Sequence, residues 1–81
     1  MKKIQVVYTK TCIFCAPTKQ IWRDLQKKHK FDYEEIDAES LKGQQVVRKF
    51  NIMSVPTTIV DGKIQFVGMP NKAKAEEAVT G

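Results

Sequence analysis

Thr9-Lys10-Thr11-Cys12-Ile13-Phe14-Cys15 holds both cysteines of the chain, at the point where a short β-branched run gives way to a helical pattern. Two thiols separated by two residues can close a small disulfide ring or bind a metal. At the start of a helix, unpaired N–H groups and the positive end of the dipole stabilise a thiolate at the first cysteine. Its pKa then falls from about 8.5 toward neutrality, and a usable fraction is nucleophilic at physiological pH. Cys12 is therefore the candidate nucleophile. Cys15, one turn further in, is expected to be less exposed and placed to attack a mixed disulfide formed at Cys12. The pattern points to dithiol–disulfide exchange.

Upstream, Ile4-Gln5-Val6-Val7-Tyr8 is β-branched and nearly continuous in apolar character, as in a strand buried on both faces. Downstream, a helix is expected from Ile13 to about His29-Lys30. Ile21, Trp22 and Leu25 fall on its apolar face, and Pro17 sits early enough to cost little. Trp22 is read as core and His29 as a helix-end cation. Tyr33 to Asp37 reads as a second strand. Its adjacent Glu34 and Glu35 point to opposite faces and cannot act as a pair. Ser40 is the expected cap of a helix over Leu41 to Phe50, with Leu41, Val46, Val47 and Phe50 as its apolar face. Gly43 is expected to weaken its first turn.

Thr57 to Val60 and Lys63 to Val67 read as strands joined by Asp61-Gly62, the signal for a type I′ hairpin. Gly68, Met69 and Pro70 form a turn. Asn71 then caps a last helix from Lys72 to Val79, with Ala75, Ala78 and Val79 on its apolar face. The order β-α-β-α-β-β-α is that of one α/β domain over residues 1–81, a mixed four-stranded sheet flanked by three helices. Its opening β-α-β unit requires a parallel pair. Cys12 then lies at the carboxyl end of the first strand, where open α/β sheets place their sites.

Composition narrows the function further. Hydrophobic residues make up 42% and charged residues 28% of the 81, which is globular rather than disordered. Two cysteines are too few for a disulfide-stapled secreted scaffold or a complete Cys₄ zinc site. The start Met1-Lys2-Lys3-Ile4 imitates a signal peptide, but the apolar run is broken at Gln5 and ends at Thr9. No stretch approaches the roughly 20 apolar residues of a membrane span. A reducing cytoplasm is the expected location, and a membrane is not an expected partner. The net charge of +5 is densest at Lys27-Lys28-His29-Lys30. Without aromatic residues interleaved among the basic ones, nucleic-acid binding is not expected.

Three features occur in one order: Cys12-x-x-Cys15, Val55-Pro56-Thr57 and Gly68. With them the chain resembles the thioredoxin/glutaredoxin family over essentially its whole length, most of all the small glutaredoxin-like thioredoxins of archaea and bacteria. The resemblance implies the thioredoxin fold, and a protein that reduces disulfides in partner proteins through its Cys12–Cys15 disulfide with no other cofactor. It implies a cis Val55–Pro56 bond, with Pro56 beside the sulfurs, the Val55 backbone free to pair with an extended substrate, and Gly68 allowing close approach. Typical thioredoxins carry Trp before the first cysteine, Gly-Pro between the cysteines and a buried Asp six residues upstream. Those positions are Thr11, Ile13-Phe14 and Val6 here, so no proton acceptor for Cys15 is identified. Glutaredoxins hold glutathione with a Gly-Gly pair, whereas Gly68 is followed by Met69-Pro70.

Ile13 and Phe14, between the sulfurs, are read as partner contacts. Lys10 is a surface lysine that also offers electrostatic support to the Cys12 thiolate. The expected partners are disulfide-containing proteins and a reductase such as thioredoxin reductase, ahead of glutathione, with the protein itself a monomer. The rival readings are a soft-metal-binding or metallochaperone-type Cys-x-x-Cys module, an iron–sulfur cluster shared between two chains, and a glutathione-dependent glutaredoxin.

Overall fold

A strand buried from both sides sets the architecture of the computed structural model, which describes residues 2–80. Met1 and Gly81, the ends of the expected domain, lie outside the described residues. The central strand β1 (Lys3–Tyr8) pairs in parallel with β2 (Asp32–Asp37), from Lys3 opposite Asp32 to Tyr8 opposite Asp37. On its other side it pairs antiparallel with β3 (Thr57–Val60), which pairs antiparallel with β4 (Lys63–Val67). The strand order is β2-β1-β3-β4. With helices α1 (Cys15–Lys28), α2 (Leu41–Phe50) and α3 (Lys72–Thr80), the sequence order is β-α-β-α-β-β-α, as expected.

Alternation along β1 divides the core. Ile4 and Val6 enter a layer with Ile21, Trp22 and Leu25 of α1, Phe31, Val60 and Ala75 of α3. Val7 enters the opposite layer with Ile36 and Ile59, against Val46, Val47 and Phe50 of α2. Trp22, with no exposed surface, is the aromatic centre of the first layer. Its ring centroid lies 6.3 Å from that of Phe31 and 6.1 Å from that of Phe66.

Local signals hold where the chain supplies a specific partner. Ser40 Oγ accepts the Gly43 N–H at 2.9 Å, and Asn71 Oδ1 accepts the Ala73 N–H at 2.8 Å. Asp61 and Gly62 both have positive φ, 50° and 81°, as a type I′ turn requires. The turn is tied to β1 by Lys3 N–H donating to Asp61 Oδ1 at 2.8 Å. A register shift between Thr58 and Ile59 interrupts β3–β4 pairing, a bulge with no sequence signal.

Two expectations need correction. The first helix begins at Cys15, not Ile13, and ends at Lys28. Pro17 has no N–H to give to Ile13, so that turn cannot close; the Thr18 N–H to Phe14 carbonyl bond, 3.2 Å, stands at its start. The second concerns α2. Leu41 is not on the buried face: it is 81% exposed, and Gly43 is the buried residue of that turn. A Cβ at Gly43 would overlap the carbonyl of Asp37 and lie 2.7 Å from Ala38 Cα. Gly43 therefore lets α2 close onto the end of β2.

The two glutamates of β2 separate as expected. Glu34 takes hydrogen bonds from Lys42 and Gln5, which hold its carboxyl below the ordinary range. Burial pushes Glu35 up, but a bidentate Arg23 at 2.7 and 2.8 Å and the Tyr33 hydroxyl at 2.9 Å outweigh it and leave the group depressed. His29 reaches Glu76 of α3 at 2.9 Å and depresses that carboxyl too.

Two predictions follow from this packing. Helix propensity alone would favour Ala over Gly by about 1 kcal/mol. The backbone overlap reverses the sign, so Gly43→Ala should destabilise by about 1–3 kcal/mol in denaturant titration, while Leu41→Glu should stay within about 0.5 kcal/mol. A depressed carboxyl contributes stability that is present above its unfolded pKa and lost as pH falls through its folded value. Glu35→Gln should therefore be less stable than the parent at neutral pH, with the gap closing as pH falls below the ordinary 4.5.

Candidate functional site

The carboxyl end of β1 is where the chemistry-bearing residues meet. From Tyr8 the chain turns through residues 9–14 and enters α1 at Cys15. Within that turn the Cys12 carbonyl accepts the Cys15 N–H at 3.4 Å. The two sulfurs are in disulfide contact and the Cα atoms lie 5.3 Å apart, inside the range a disulfide spans. The two cysteines differ sharply in access. Cys12 is half-buried in the turn, whereas Cys15 is 1% exposed beneath the first turn of α1. Thr18, also buried, fastens that turn by donating its hydroxyl to the Phe14 carbonyl at 2.7 Å.

The opposite wall arrives on β3. The Val55–Pro56 bond is cis, and the Val55 carbonyl lies 3.7 Å from Cys12 Sγ. Pro56 is buried, while Val55 is half-buried. The Thr57 hydroxyl, donating to the Ser54 carbonyl at 2.7 Å, holds the bend that presents them. Gly68 joins the same wall through its N–H, which donates to the Pro56 carbonyl at 2.7 Å. Its φ of 89° is the left-handed region that glycine tolerates, and the place a Cβ would occupy is open.

Cys12, Cys15, Val55, Pro56 and Gly68 are thus brought together by backbone geometry. Ile13 and Phe14 stand outward beside the sulfurs, 83% and 58% exposed. Lys10 is exposed in the turn before Cys12 and forms no ion pair among the described residues. Residues 9–23 carry Lys10, Lys19 and Arg23 and no acid, so the segment holding the disulfide bears positive charge and no negative charge.

Two exposed residues of these loops are not among the partner contacts expected from the sequence: Met53, 88% exposed just before the Val55–Pro56 bend, and Met69, 49% exposed just after Gly68. Their signal was position, an unpaired apolar residue in each loop flanking the motif. Such a set of apolar side chains around a disulfide suits recognition of another chain.

The arrangement has known counterparts. The model of the thioredoxin domain family matches residues 2–80. A probable thioredoxin of Methanothermobacter marburgensis is 28% identical over 80 residues, covering 96% of this chain and 92% of that protein. A thioredoxin of Methanocaldococcus jannaschii is 25% identical over 77 residues, 95% of this chain and 91% of that one. Among solved structures, a reduced Schistosoma mansoni thioredoxin pre-protein superposes with a TM-score of 0.81 at 23% identity, over 98% of this chain and 76% of that one. At that identity the likeness speaks for the fold. The family match, spanning all the described residues, speaks for more: the chain belongs to the thioredoxin domain family and is a thiol–disulfide oxidoreductase.

Proposed function

We propose that the protein reduces disulfides in partner proteins by dithiol exchange, with Cys12 as the attacking thiolate and Cys15 as the resolving thiol. The observation that carries this reading is the unequal access of the two sulfurs at one helix start. Cys12 attacks the client disulfide, forming a Cys12–client bond and releasing one client thiolate. The Cys15 thiolate then attacks Cys12 Sγ, forms the Cys12–Cys15 disulfide and releases the second client sulfur. The client gains two electrons and the protein dithiol loses two.

The remaining residues serve recognition in this reading. An extended client segment pairs with the Val55 backbone beside Cys12 and passes over Gly68, where the space for a Cβ is open. Ile13 and Phe14 contact the client, and Pro56 borders the sulfurs. Lys10 stabilises the Cys12 thiolate and draws acidic flanks. The disulfide itself is the only redox group required. Gly68 followed by Met69-Pro70 favours a thioredoxin reductase over glutathione as the source of electrons, and the low cysteine count favours a reducing cytoplasm.

Single substitutions test the assignment. Cys12→Ala should abolish reduction of a protein disulfide. Cys15→Ala should accumulate a stable mixed disulfide with substrate, visible by mass spectrometry under non-reducing conditions. Loss of activity in both variants with no trapped adduct would refute the roles. Replacing Phe14 with Ser should raise KM for a protein disulfide several-fold, of order one lost apolar contact, and leave the rate with a small disulfide unchanged. The oxidised protein should be reduced by thioredoxin reductase with NADPH and not by glutathione.

A further inference from the structure

A groove leads away from the disulfide between α1 and the segment that follows Gly68. Both flanking helices begin at the disulfide end of the sheet, α1 at Cys15 and α3 just beyond the Gly68 turn. On α1, Pro17, Ile21 and Asp24 follow one another at helical spacing. Met69, Pro70 and Lys72 line the opposite side, and the open volume is about 430 Å³, within the range of ligand sites. A second hollow of about 220 Å³ continues down α1 to Lys28, facing Ala73 and Glu76 of α3. The two share Ile21, Asp24 and Lys72, so they form one groove.

Its mouth is apolar. Pro17 stands two residues beyond Cys15, and Met69 one beyond Gly68, so the groove opens directly from the walls of the redox site. The charged groups further along are unequally engaged. Asp24 accepts the Gln20 amide at 2.8 Å and faces Lys27 at 4.0 Å, while Glu76 is held by His29 at 2.9 Å. Lys28 and Lys72 form no ion pair among the described residues. The acids of the groove are thus paired, and its two lysines are the charges left for a ligand. Length fits a peptide as well. From Pro17 to Asp24 is about 10 Å of helix, the span of about three residues of extended chain.

We propose that this groove is a client subsite. A disulfide-bearing client chain, extended past Gly68, seats an apolar side chain among Pro17, Ile21 and Met69 and sets the carboxylate of the next residues against Lys72. The proposal rests on the exchange reading and names the clients it favours: chains with an apolar and then an acidic residue on one flank of the reactive cysteine. Continuity with the redox site selects this occupant. A second copy of the chain would bring a net charge of +5 against the two free lysines.

The test uses short peptides whose single cysteine is joined in a disulfide to a chromogenic aryl thiol, reacted with the pre-reduced protein. Cys12 bonds to the peptide sulfur and the aryl thiolate leaves as the coloured product. Cys15 then closes the Cys12–Cys15 bond and releases the peptide thiolate. The protein dithiol loses two electrons and the peptide–aryl disulfide gains two. Leu followed by Asp on the favoured flank should raise the second-order rate constant of aryl release about tenfold over Ser followed by Asp. It should also exceed Leu followed by Lys several-fold, as expected of one exposed charge pair, and that margin should shrink with added salt. Moving the same residues to the other flank should remove the advantage. Met69→Ser should lose most of the preference for Leu, and Lys72→Glu should invert the preference between Asp and Lys. Lys74→Glu, the same charge change at an exposed α3 residue outside the groove, should keep both preferences.

The peptide comparison needs no variant, and equal rate constants for every peptide overturn the proposal. So does a preference for Asp that Lys72→Glu leaves intact, or that Lys74→Glu inverts as well. Equal rate constants in a protein that sediments as a dimer overturn it in favour of a second copy in the groove. Absence of aryl release from every peptide instead overturns the exchange reading on which the proposal stands.

Discussion

Burial of one strand between two layers is the constraint from which the site follows. Ile4, Val6 and Val7 of β1 have no exposed surface, and each such side chain contributes about 1.5–3 kcal/mol when removed from water. A strand buried on both faces in a small chain needs a covering element on each side. The parallel β1–β2 pair requires a crossover, and α1 supplies it. That crossover returns the start of α1 to the carboxyl end of β1, with the cysteines at the junction. The antiparallel β3 then begins at this same end, opposite Val7, and brings Val55 and Pro56 with it. One backbone hydrogen bond from Gly68 to Pro56 adds the last wall.

Most of this was legible in the sequence because each signal had a local physical cause. Asp61-Gly62 tolerates two consecutive positive φ values, Ser40 and Asn71 offer side-chain oxygens to orphan N–H groups, and Ile21, Trp22 and Leu25 share a helical face. The cysteine spacing and Val55-Pro56-Thr57 located the site in the same way. What escaped were features set by another part of the chain. Leu41 looks like an anchor for α2 until the end of β2 is in place. Gly43 then makes the closest approach, and a leucine at the first helical position faces water. Met53 and Met69 carry no periodicity because they sit in loops, and the loops converge only after folding.

The charged residues of β2 show the same division. A run of two glutamates argues weakly for a strand, but β2 is an edge of the sheet and both side chains reach partners at the surface. Glu34 meets Lys42 of α2, while Glu35 meets Arg23 of α1. The two ion pairs thus fasten one helix to each face of the same strand. Exposed pairs of this kind are worth little individually. Their placement on an edge strand matters in another way, since charge discourages pairing with a second chain.

The two sulfurs sit in contrasting environments, and the contrast constrains how a thiolate at Cys15 is tolerated. Cys12 is half-buried beside a helix start, in a segment that carries cations and no acid from residue 9 to residue 23. Cys15 is buried, and desolvation disfavours its charged form. The β1 residues facing the layer beneath α1 are Ile4 and Val6, so β1 offers no carboxylate there to take the proton. A carboxylate would also bring its own charge close to the thiolate, and two anions in one dry layer raise each other's pKa. A neutral donor avoids that conflict: it stabilises the anion, adds no like charge, and leaves the proton to pass to solvent.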